Sequence, residues 1–330
     1  MRFLLASASL GAIASALFPA SAFAQTEIKT ATTNPVSTST TGDLQITSAG
    51  SIKLASGVAV TINSNAKVTN AGTLSITGGN GSAGIVANAN LSGDITNSGA
   101  ITLDENYTPT DSDKDGDVDG PFAQGSNRYG IHVLGGGTYT GKIANSGTIT
   151  VEGNSSAGIA IDSALSGSIT NTGKITVTGD DSVGLRAAAV SGDVKLTAGS
   201  ISATGKNAVG VLLGGDVGGA FVVQGSVTST GYRYTSVPAD TSKLDSDDLL
   251  QGESAVIVAG DVAGGILLDA PASGTSGSTA KVVTYGAAPA MLIGSASEDV
   301  LIGKSGSTDF SLINKGTIAR TNSGSMVLVL

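Results

Sequence analysis

Short stretches of the chain alternate between apolar and polar residues. In residues 174–178, Lys-Ile-Thr-Val-Thr, the alternation predicts a strand in which Ile175 and Val177 point inward and the polar residues face water. Similar stretches recur along the chain, separated by glycine, serine and asparagine. The pattern predicts successive coils, each built from about three short strands.

A repeat with a fixed corner organises these strands. The element Gly-x-(Ile, Leu or Val) recurs at Gly50, Gly72, Gly99, Gly147, Gly173, Gly199, Gly225 and Gly316. From Gly147 to Gly225 the spacing is 26 residues. Five of the glycines carry asparagine two positions earlier, at Asn70, Asn97, Asn145, Asn171 and Asn314. Glycine accepts positive φ and asparagine bonds its own backbone in tight turns, so we expect stacked corners with an asparagine ladder.

A second element lies half a repeat further on. It reads Ser-Ala-Gly-Ile at 82–85 and 156–159, Ser-Val-Gly-Leu at 182–185 and Ala-Val-Gly-Val at 208–211. One coil cannot bury its apolar stripe, but a stack of coils makes a continuous core, and parallel strands joined in this way wind right-handed. The sequence therefore predicts an all-β, right-handed parallel β-helix of about eight to nine coils with a repeat near 26 residues.

Two insertions interrupt the repeat, at about 104–128 and 232–253. Both fall at the same corner of the coil, and each ends in a Gln-Gly pair. Since they are four coils apart, we expect them to emerge on one side of the rod, roughly 19 Å apart at the base. Insertions that share one face of a repeat protein often form its binding surface.

The first insertion contains an acidic loop. Its aspartates are Asp111, Asp113, Asp115, Asp117 and Asp119. With Gly116 at position 6, they match the first nine positions of an EF-hand-like calcium loop, in which Asp117 would offer its backbone carbonyl and the others their side chains. Phe122 stands where the bidentate glutamate of such a loop belongs. We expect weak Ca²⁺ binding, and the alternative is a solvated acidic loop without a metal.

The second insertion has no ligand spacing. Tyr232, Arg233 and Tyr234 stand near its start and are candidates for contact with a partner. The alternative is that these side chains pack against the rod.

Composition excludes several kinds of function. The formal net charge is −9, so nucleic acid and anionic membrane surfaces are poor partners. The chain has no cysteine and one histidine, His132, which excludes zinc sites and catalysis that need two imidazoles. The fold requires no cofactor, and calcium is the one ion that the sequence indicates.

The two ends of the chain differ from the repeat. Arg2, an apolar run from Phe3 to Phe18 and a small-x-small motif predict a signal peptide over 1–24, cleaved between Ala24 and Gln25. Residues 25–45 are rich in threonine and serine and are predicted to be a leader or an N-terminal cap, with the β-helix over 46–330. The last residues resemble an inward strand without a polar cap, so we expect a fragment or a truncated product.

Catalytic residues are not expected in the repeat. Asp162, Asp193, Asp216 and Asp261 recur near corners and are interpreted as turn residues, and His132 is expected to point outward with a structural role. The competing hypothesis is a carbohydrate-active β-helix enzyme, a polysaccharide lyase or hydrolase. That enzyme would need carboxylates clustered over one groove.

The signal peptide, the cysteine-free Asn-Ser-Gly-Thr-Ile-Thr-Val coils and the Ser-Ala-Gly-Ile strands resemble passenger domains of bacterial autotransporters, the type V secretion family. The resemblance covers about residues 46–330. It implies export through the periplasm, display at the cell surface or release outside, and a non-enzymatic adhesive or structural role with ligands on host or neighbouring cells. It also implies an outer-membrane barrel in the parent protein, which this sequence does not contain.

Overall fold

The structure is a computed structural model of the whole chain. It describes residues 25–114, 116, 118–233, 242, 244, 246–271, 279–321 and 328–329. The signal peptide, Asp115, Asp117 and Tyr234 therefore lie outside the described residues.

Three parallel sheets run the length of a rod, each with ten strands in the described part of the chain. The first sheet contains β1 (Thr26–Ile28), β4 (Leu44–Ile46), β7 (Val68–Asn70), β10 (Ile95–Asn97), β13 (Thr138–Asn145), β16 (Ala164–Asn171), β19 (Val194–Leu196), β22 (Phe221–Val223), β25 (Ile266–Leu268) and β28 (Leu312–Asn314). The second contains β2 (Ala31–Thr32), β5 (Ser51–Leu54), β8 (Thr73–Thr77), β11 (Ala100–Asp104), β14 (Thr148–Glu152), β17 (Lys174–Thr178), β20 (Ser200–Thr204), β23 (Ser226–Thr230), β26 (Lys281–Tyr285) and β29 (Thr317–Thr321). The third contains β3 (Val36–Ser37), β6 (Val58–Ile62), β9 (Ala83–Ala87), β12 (Tyr129–Val133), β15 (Ala157–Ile161), β18 (Val183–Ala187), β21 (Val209–Leu213), β24 (Val256–Val258), β27 (Met291–Ile293) and β30 (Leu328–Val329).

Each strand pairs with the strand three elements later, so every coil contributes one strand to each sheet. In the second sheet, for example, Ile149 pairs with Ile175 and Ile175 with Ile201. These inward side chains are buried, and the polar residues between them face outward. The predicted right-handed parallel β-helix is confirmed, and its sheets have the register that the 26-residue repeat requires.

The stack is longer than expected, with ten coils instead of eight or nine. The difference arises because residues 25–45 form the terminal coil, with β1, β2, β3 and the short helix α1 (Thr38–Thr41). Threonine-rich segments pair well as strands when a neighbouring coil offers a strand to pair with. The composition of residues 25–45 therefore did not indicate that they form a coil.

The asparagine ladder forms inside the rod, in the first sheet. The Nδ2 of Asn70 donates to Oδ1 of Asn97, Asn97 donates to Asn145, and Asn145 donates to Asn171, each at 2.7 Å. All four are buried. The ladder ends there because Leu196 occupies the next rung. Asn314, the fifth predicted member, is exposed and caps its own turn by accepting from the backbone of Gly316.

The two insertions leave the same corner, between the second and third sheets. Loop 1, residues 105–128, joins β11 to β12, and loop 2, residues 231–255, joins β23 to β24. Four coil steps separate β11 from β23 in the second sheet, as the sequence predicted. No helix in the described residues has the length and apolarity needed to cross a membrane.

Candidate functional site

The stems of loop 1 are held by a buried ion pair. Arg128 and Glu105 approach to 3.3 Å, and their side chains are 3% and 8% exposed. The Glu105 carboxylate also accepts hydrogen bonds from the backbone amides of Gln124 and Gly125, each at 2.6 Å. Arg128 donates further to the carbonyl oxygens of residues 79, 104 and 152. Because the charges and the remaining donors are satisfied, the loop returns to the rod in a defined position.

The two loops meet each other. The amide of Gly120 in loop 1 donates to Oδ2 of Asp247 in loop 2 at 2.8 Å. Arg233 of loop 2 donates to the Gly120 carbonyl and lies 3.9 Å from the Asp247 carboxylate. Its guanidinium sits 4.0 Å above the ring of Phe122. The insertions therefore bridge the roughly 19 Å expected between their bases and form one structure over the second sheet.

Two carboxyl groups stand side by side beneath the joined loops. Asp104 ends β11 and Glu152 ends β14, and the pairing of Leu103 with Val151 places the two acids on adjacent rungs. Parallel strands in register project such side chains in the same direction, and like charges in that position repel. Glu105 adds a third acidic group, but the Arg128 guanidinium offsets its charge.

The acids line a groove of about 310 Å³ between the rod and the loops. Its lining comprises Thr102, Thr150 and Thr178 from three coils, the two acids Asp104 and Glu152, and, from the loops, Pro109, Phe122 and Arg233. Threonine hydroxyls both donate and accept hydrogen bonds. The groove therefore offers hydroxyl, carboxyl and guanidinium groups beside apolar surface.

The Glu152 carboxyl retains its proton at neutral pH. Burial, a hydrogen bond with Asp104 and the negative charges of Glu105 and Asp104 together raise the pKa of Glu152 to about 8. At neutral pH Glu152 is therefore mostly protonated, since a second negative charge beside its neighbours is costly. Glu152 is half-buried, Asp104 is exposed, and both line the groove.

Arg233 has an unused hydrogen-bond donor at this site. Its side chain is 6% exposed, and its Nε finds no partner in the described structure. Most buried polar groups in proteins are hydrogen-bonded, so the unpaired N–H of a side chain that lines the groove is a candidate donor to a bound molecule.

The predicted calcium loop brings three of its carboxylates together. One oxygen from each of Asp111, Asp113 and Asp119 lies within 4.8 Å of the others. Both oxygens of Asp111 accept backbone hydrogen bonds, from Lys114 at 2.6 Å and from Gly116 at 3.2 Å. Gly116 has φ +113°, a conformation that favours glycine at position 6.

Asp119 closes the acidic loop. It accepts hydrogen bonds from the hydroxyl and the amide of Ser112, and these bonds lower its pKa. Phe122, which replaces the expected bidentate glutamate, is buried under Arg233. The contact between the loops therefore gives the physical reason for an aromatic residue at this position.

Comparison with known proteins places this architecture in a family. A family model described as the BigA third pectate lyase-like domain matches residues 16–194, more than half of the chain. The chain belongs to this family. No curated protein and no solved structure matches it. The match to the BigA third pectate lyase-like domain includes Asp104, Phe122 and Glu152 but ends before loop 2, so Arg233 is a contribution from outside the matched region.

The candidate partner residues of loop 2 have different positions. Arg233 is buried between the loops, so it faces the groove instead of offering a free surface to a large partner. Tyr232 is half-buried, and its amide donates to the hydroxyl of Thr230 at 3.1 Å. Tyr234 lies outside the described residues.

The repeat acids and the histidine have structural contacts. Oδ1 of Asp193, Asp216 and Asp261 accepts a backbone N–H of the next coil at 2.8, 3.0 and 2.7 Å, which fits their interpretation as turn residues. His132 points outward from β12 and lies 2.8 Å from Asp162, which Arg186 also binds with two hydrogen bonds. Burial lowers the pKa of His132. Among the described residues, these groups do not form a catalytic cluster with the groove.

Sequence reasoning did not find Asp104 and Glu152. A signal for them exists, because both follow the same alternating Ile-Thr-(Leu or Val) stretch, at 101–103 and 149–151. Coils aligned on that stretch place the acids in one column, beside Thr178 of the next coil.

Proposed function

We propose that the protein is a secreted or surface-displayed, non-enzymatic scaffold that binds ligands at the corner where loop 1 and loop 2 meet. The observation that carries this proposal is the contact of Arg233 with Gly120 and Phe122, which joins insertions from coils four steps apart. A solenoid gains little stability from two long insertions, so their mutual fit over a groove is best explained by binding.

Export and display follow from the same proposal. The predicted signal peptide and the absence of cysteine fit a chain that is threaded through membranes unfolded, as an autotransporter passenger is. BigA is a bacterial surface protein, which supports the same location for this member of the family. The ligands would then lie on host or neighbouring cells, and the location would be the cell surface, the outer membrane or the medium.

Calcium is part of the proposal for loop 1. The converging carboxylates of Asp111, Asp113 and Asp119 would hold Ca²⁺ weakly and order the loop that carries Phe122. No other cofactor is proposed.

A carbohydrate-active enzyme is the second candidate, and the Asp104–Glu152 pair favours it. Glycosidases commonly use two carboxyl groups, one with a raised pKa. The placement opposes this candidate, because both carboxyls project from the same edge of one sheet, at the ends of the adjacent strands β11 and β14. Glycosidases hold theirs roughly 5 Å or more apart, on two sides of the bond that breaks. The basic groups beside the pair are also engaged, Arg128 with Glu105 and Arg233 with Gly120.

A turnover assay separates the two candidates. The full chain is incubated with a panel of neutral and acidic polysaccharides, and new reducing ends and unsaturated products are measured. We expect no turnover. Hydrolysis or elimination that is lost in Asp104→Asn and in Glu152→Gln, but kept in Asp193→Asn as the matched control, would establish the enzyme instead.

Display is tested on intact cells that produce the full chain. Antibodies against loop 1 and loop 2 are expected to label unbroken cells, and external protease is expected to remove the label. Labelling that appears only after the cells are lysed would overturn surface display.

A further inference from the structure

The groove between the rod and the loops presents a specific set of hydrogen-bonding groups. On its floor, Thr102 and Thr150 occupy adjacent rungs of the second sheet, with Thr178 on the coil beyond. The Asp104–Glu152 pair lies at the end of the same strands. Arg233 also lines the groove; its side chain is 6% exposed, and its buried Nε has no partner in the described structure.

Charge narrows the class of ligand. An anionic ligand would face the Asp104 carboxylate, with Glu105 close behind it, at a site where one acid already retains a proton. A cation would face the Arg233 guanidinium, whose unpaired N–H requires an acceptor. A neutral molecule that carries both hydroxyl donors and oxygen acceptors meets both requirements without an uncompensated charge.

The shape of the groove narrows the class of ligand further. About 310 Å³ between Pro109, Phe122 and the threonine methyl groups offers apolar surface next to the polar groups. Rungs of a sheet lie roughly 4.8 Å apart, so the two floor hydroxyls are separated by about the width of one sugar ring. A sugar ring has apolar C–H faces and a rim of hydroxyls, which is the complement of such a lining.

We propose that the groove binds one residue of a neutral glycan, with the Nε of Arg233 donating to a sugar oxygen and the Asp104–Glu152 pair holding sugar hydroxyls. The inference rests on the proposed binding function of the loop corner and names its ligand class. Thr102 and Thr150 complete the contacts from the floor.

Titration calorimetry of the full chain tests the proposal. The probes are hexasaccharides of glucose, of mannose and of galactose, with an oligogalacturonate of equal length as the anionic comparison. We expect at least one neutral hexasaccharide to bind with a Kd of about 1 mM or tighter, and the oligogalacturonate to bind at least about tenfold more weakly.

Two variants each change one side chain of the groove, and cleavage after Lys114 reports whether Arg233→Lys also opens the contact with Phe122. Arg233→Lys keeps a cation near Gly120 and Asp247 but has no Nε–H, and Thr150→Val keeps the shape of the floor but has no hydroxyl. Each is expected to weaken binding about tenfold. Arg186→Lys, on the third sheet, is the matched control and should bind like the native chain.

The pH dependence supplies a second readout. The acidic groups beside the Glu152 carboxyl are Asp104 and Glu105; Arg128 binds the backbone carbonyl of Glu152, and Arg233 lines the same groove. Loss of the Glu152 proton adds a negative charge to the groove beside Asp104, so binding by the native chain should weaken between about pH 7 and about pH 9. Glu152→Gln cannot ionise and should bind equally at both pH values.

The outcomes separate this inference from the proposed function. If no neutral hexasaccharide binds at millimolar concentration, or if the oligogalacturonate binds more tightly, the inference is overturned, while display and absence of turnover remain as tests of the scaffold. If Arg233→Lys and Thr150→Val bind the hexasaccharide as tightly as the native chain does, the sugar binds elsewhere, and the inference is also overturned. Cleavage of a bound hexasaccharide would instead refute the non-enzymatic function.

Discussion

The guanidinium of Arg233 lies over the ring of Phe122, with Cζ 4.0 Å from the ring centroid. Both side chains are nearly buried, at 6% exposure each. A desolvated cation–π contact contributes about 2 kcal/mol, which is large compared with the other contacts between two surface loops. This pair is therefore the main contact that holds loop 1 against loop 2.

Loss of the ring should release the loops without unfolding the rod. In Phe122→Ala, we expect trypsin to cut after the exposed Lys114 about tenfold faster, because the closed state loses more than about 1 kcal/mol. The melting temperature of the sheets should change little. Phe310→Ala removes a ring that is 69% exposed and serves as the control. Equal cleavage rates in the native chain and in Phe122→Ala would show that the contact between Arg233 and Phe122 does not hold the loops together.

The asparagine ladder should contribute strongly to stability. Asn97→Ala removes the acceptor of one N–H of the Asn70 Nδ2, which keeps its bond to the Ala100 carbonyl, and removes the donor to the Oδ1 of Asn145 inside the rod. Each unsatisfied buried group costs about 1–3 kcal/mol, so we expect a loss of at least about 2 kcal/mol in urea unfolding. Asn314→Ala is the matched control, since this asparagine occupies the same corner but is exposed. A similar loss in both variants would contradict a special role of the buried ladder.

The stability of the protein should depend on pH through Glu152. Its pKa is raised from 4.5 to about 8, so between these values the folded chain holds a proton that the unfolded chain has released. The stabilisation is complete below the unfolded pKa and is lost as pH rises through the folded one. We expect Glu152→Gln to lower this dependence and to melt higher than the native chain at alkaline pH. If the melting temperatures of the two proteins change equally from acid to alkaline pH, the prediction is wrong.

Calcium should bind to loop 1 with low affinity. Titration of the full chain with CaCl₂ is expected to give a Kd of about 10⁻⁴–10⁻³ M, and Asp113→Asn should weaken binding because it removes one of three converging carboxylates. Asp309→Asn, a carboxyl that is 92% exposed in an ion pair with Lys304, is the control. An absence of heat in the native chain, or equal affinity in Asp113→Asn, would exclude this site.

The architecture of the rod could be predicted from local information. Alternation along 174–178 sets which side chains face inward, and the spacing from Gly147 to Gly225 sets the register of the coils. Both signals are repeated many times, so an error in one coil does not change the conclusion. The tenth coil was not predicted, because residues 25–45 carry a weaker version of the pattern.

The candidate site is formed by contacts between residues that are far apart in the sequence, and no local sequence pattern predicts such contacts. Asp104 and Glu152 are separated by the whole of loop 1, and only the pairing of β11 with β14 makes them neighbours. Arg233 and Phe122 belong to different insertions, and each had a different expected role, one as a partner contact and the other as a missing calcium ligand.

The sequence by itself determined the β-helix, its asparagine ladder and the corner from which both loops leave. The reason is that the repeat gives every coil the same local pattern of inward, outward and turn residues. The tertiary structure decided that the loops join, that burial and the neighbouring acids raise the pKa of Glu152, and that the Nε of Arg233 has no partner among the described residues. These are relationships between single residues that occur once in the chain. Their energy depends on burial and distance, which exist only after the coils have stacked.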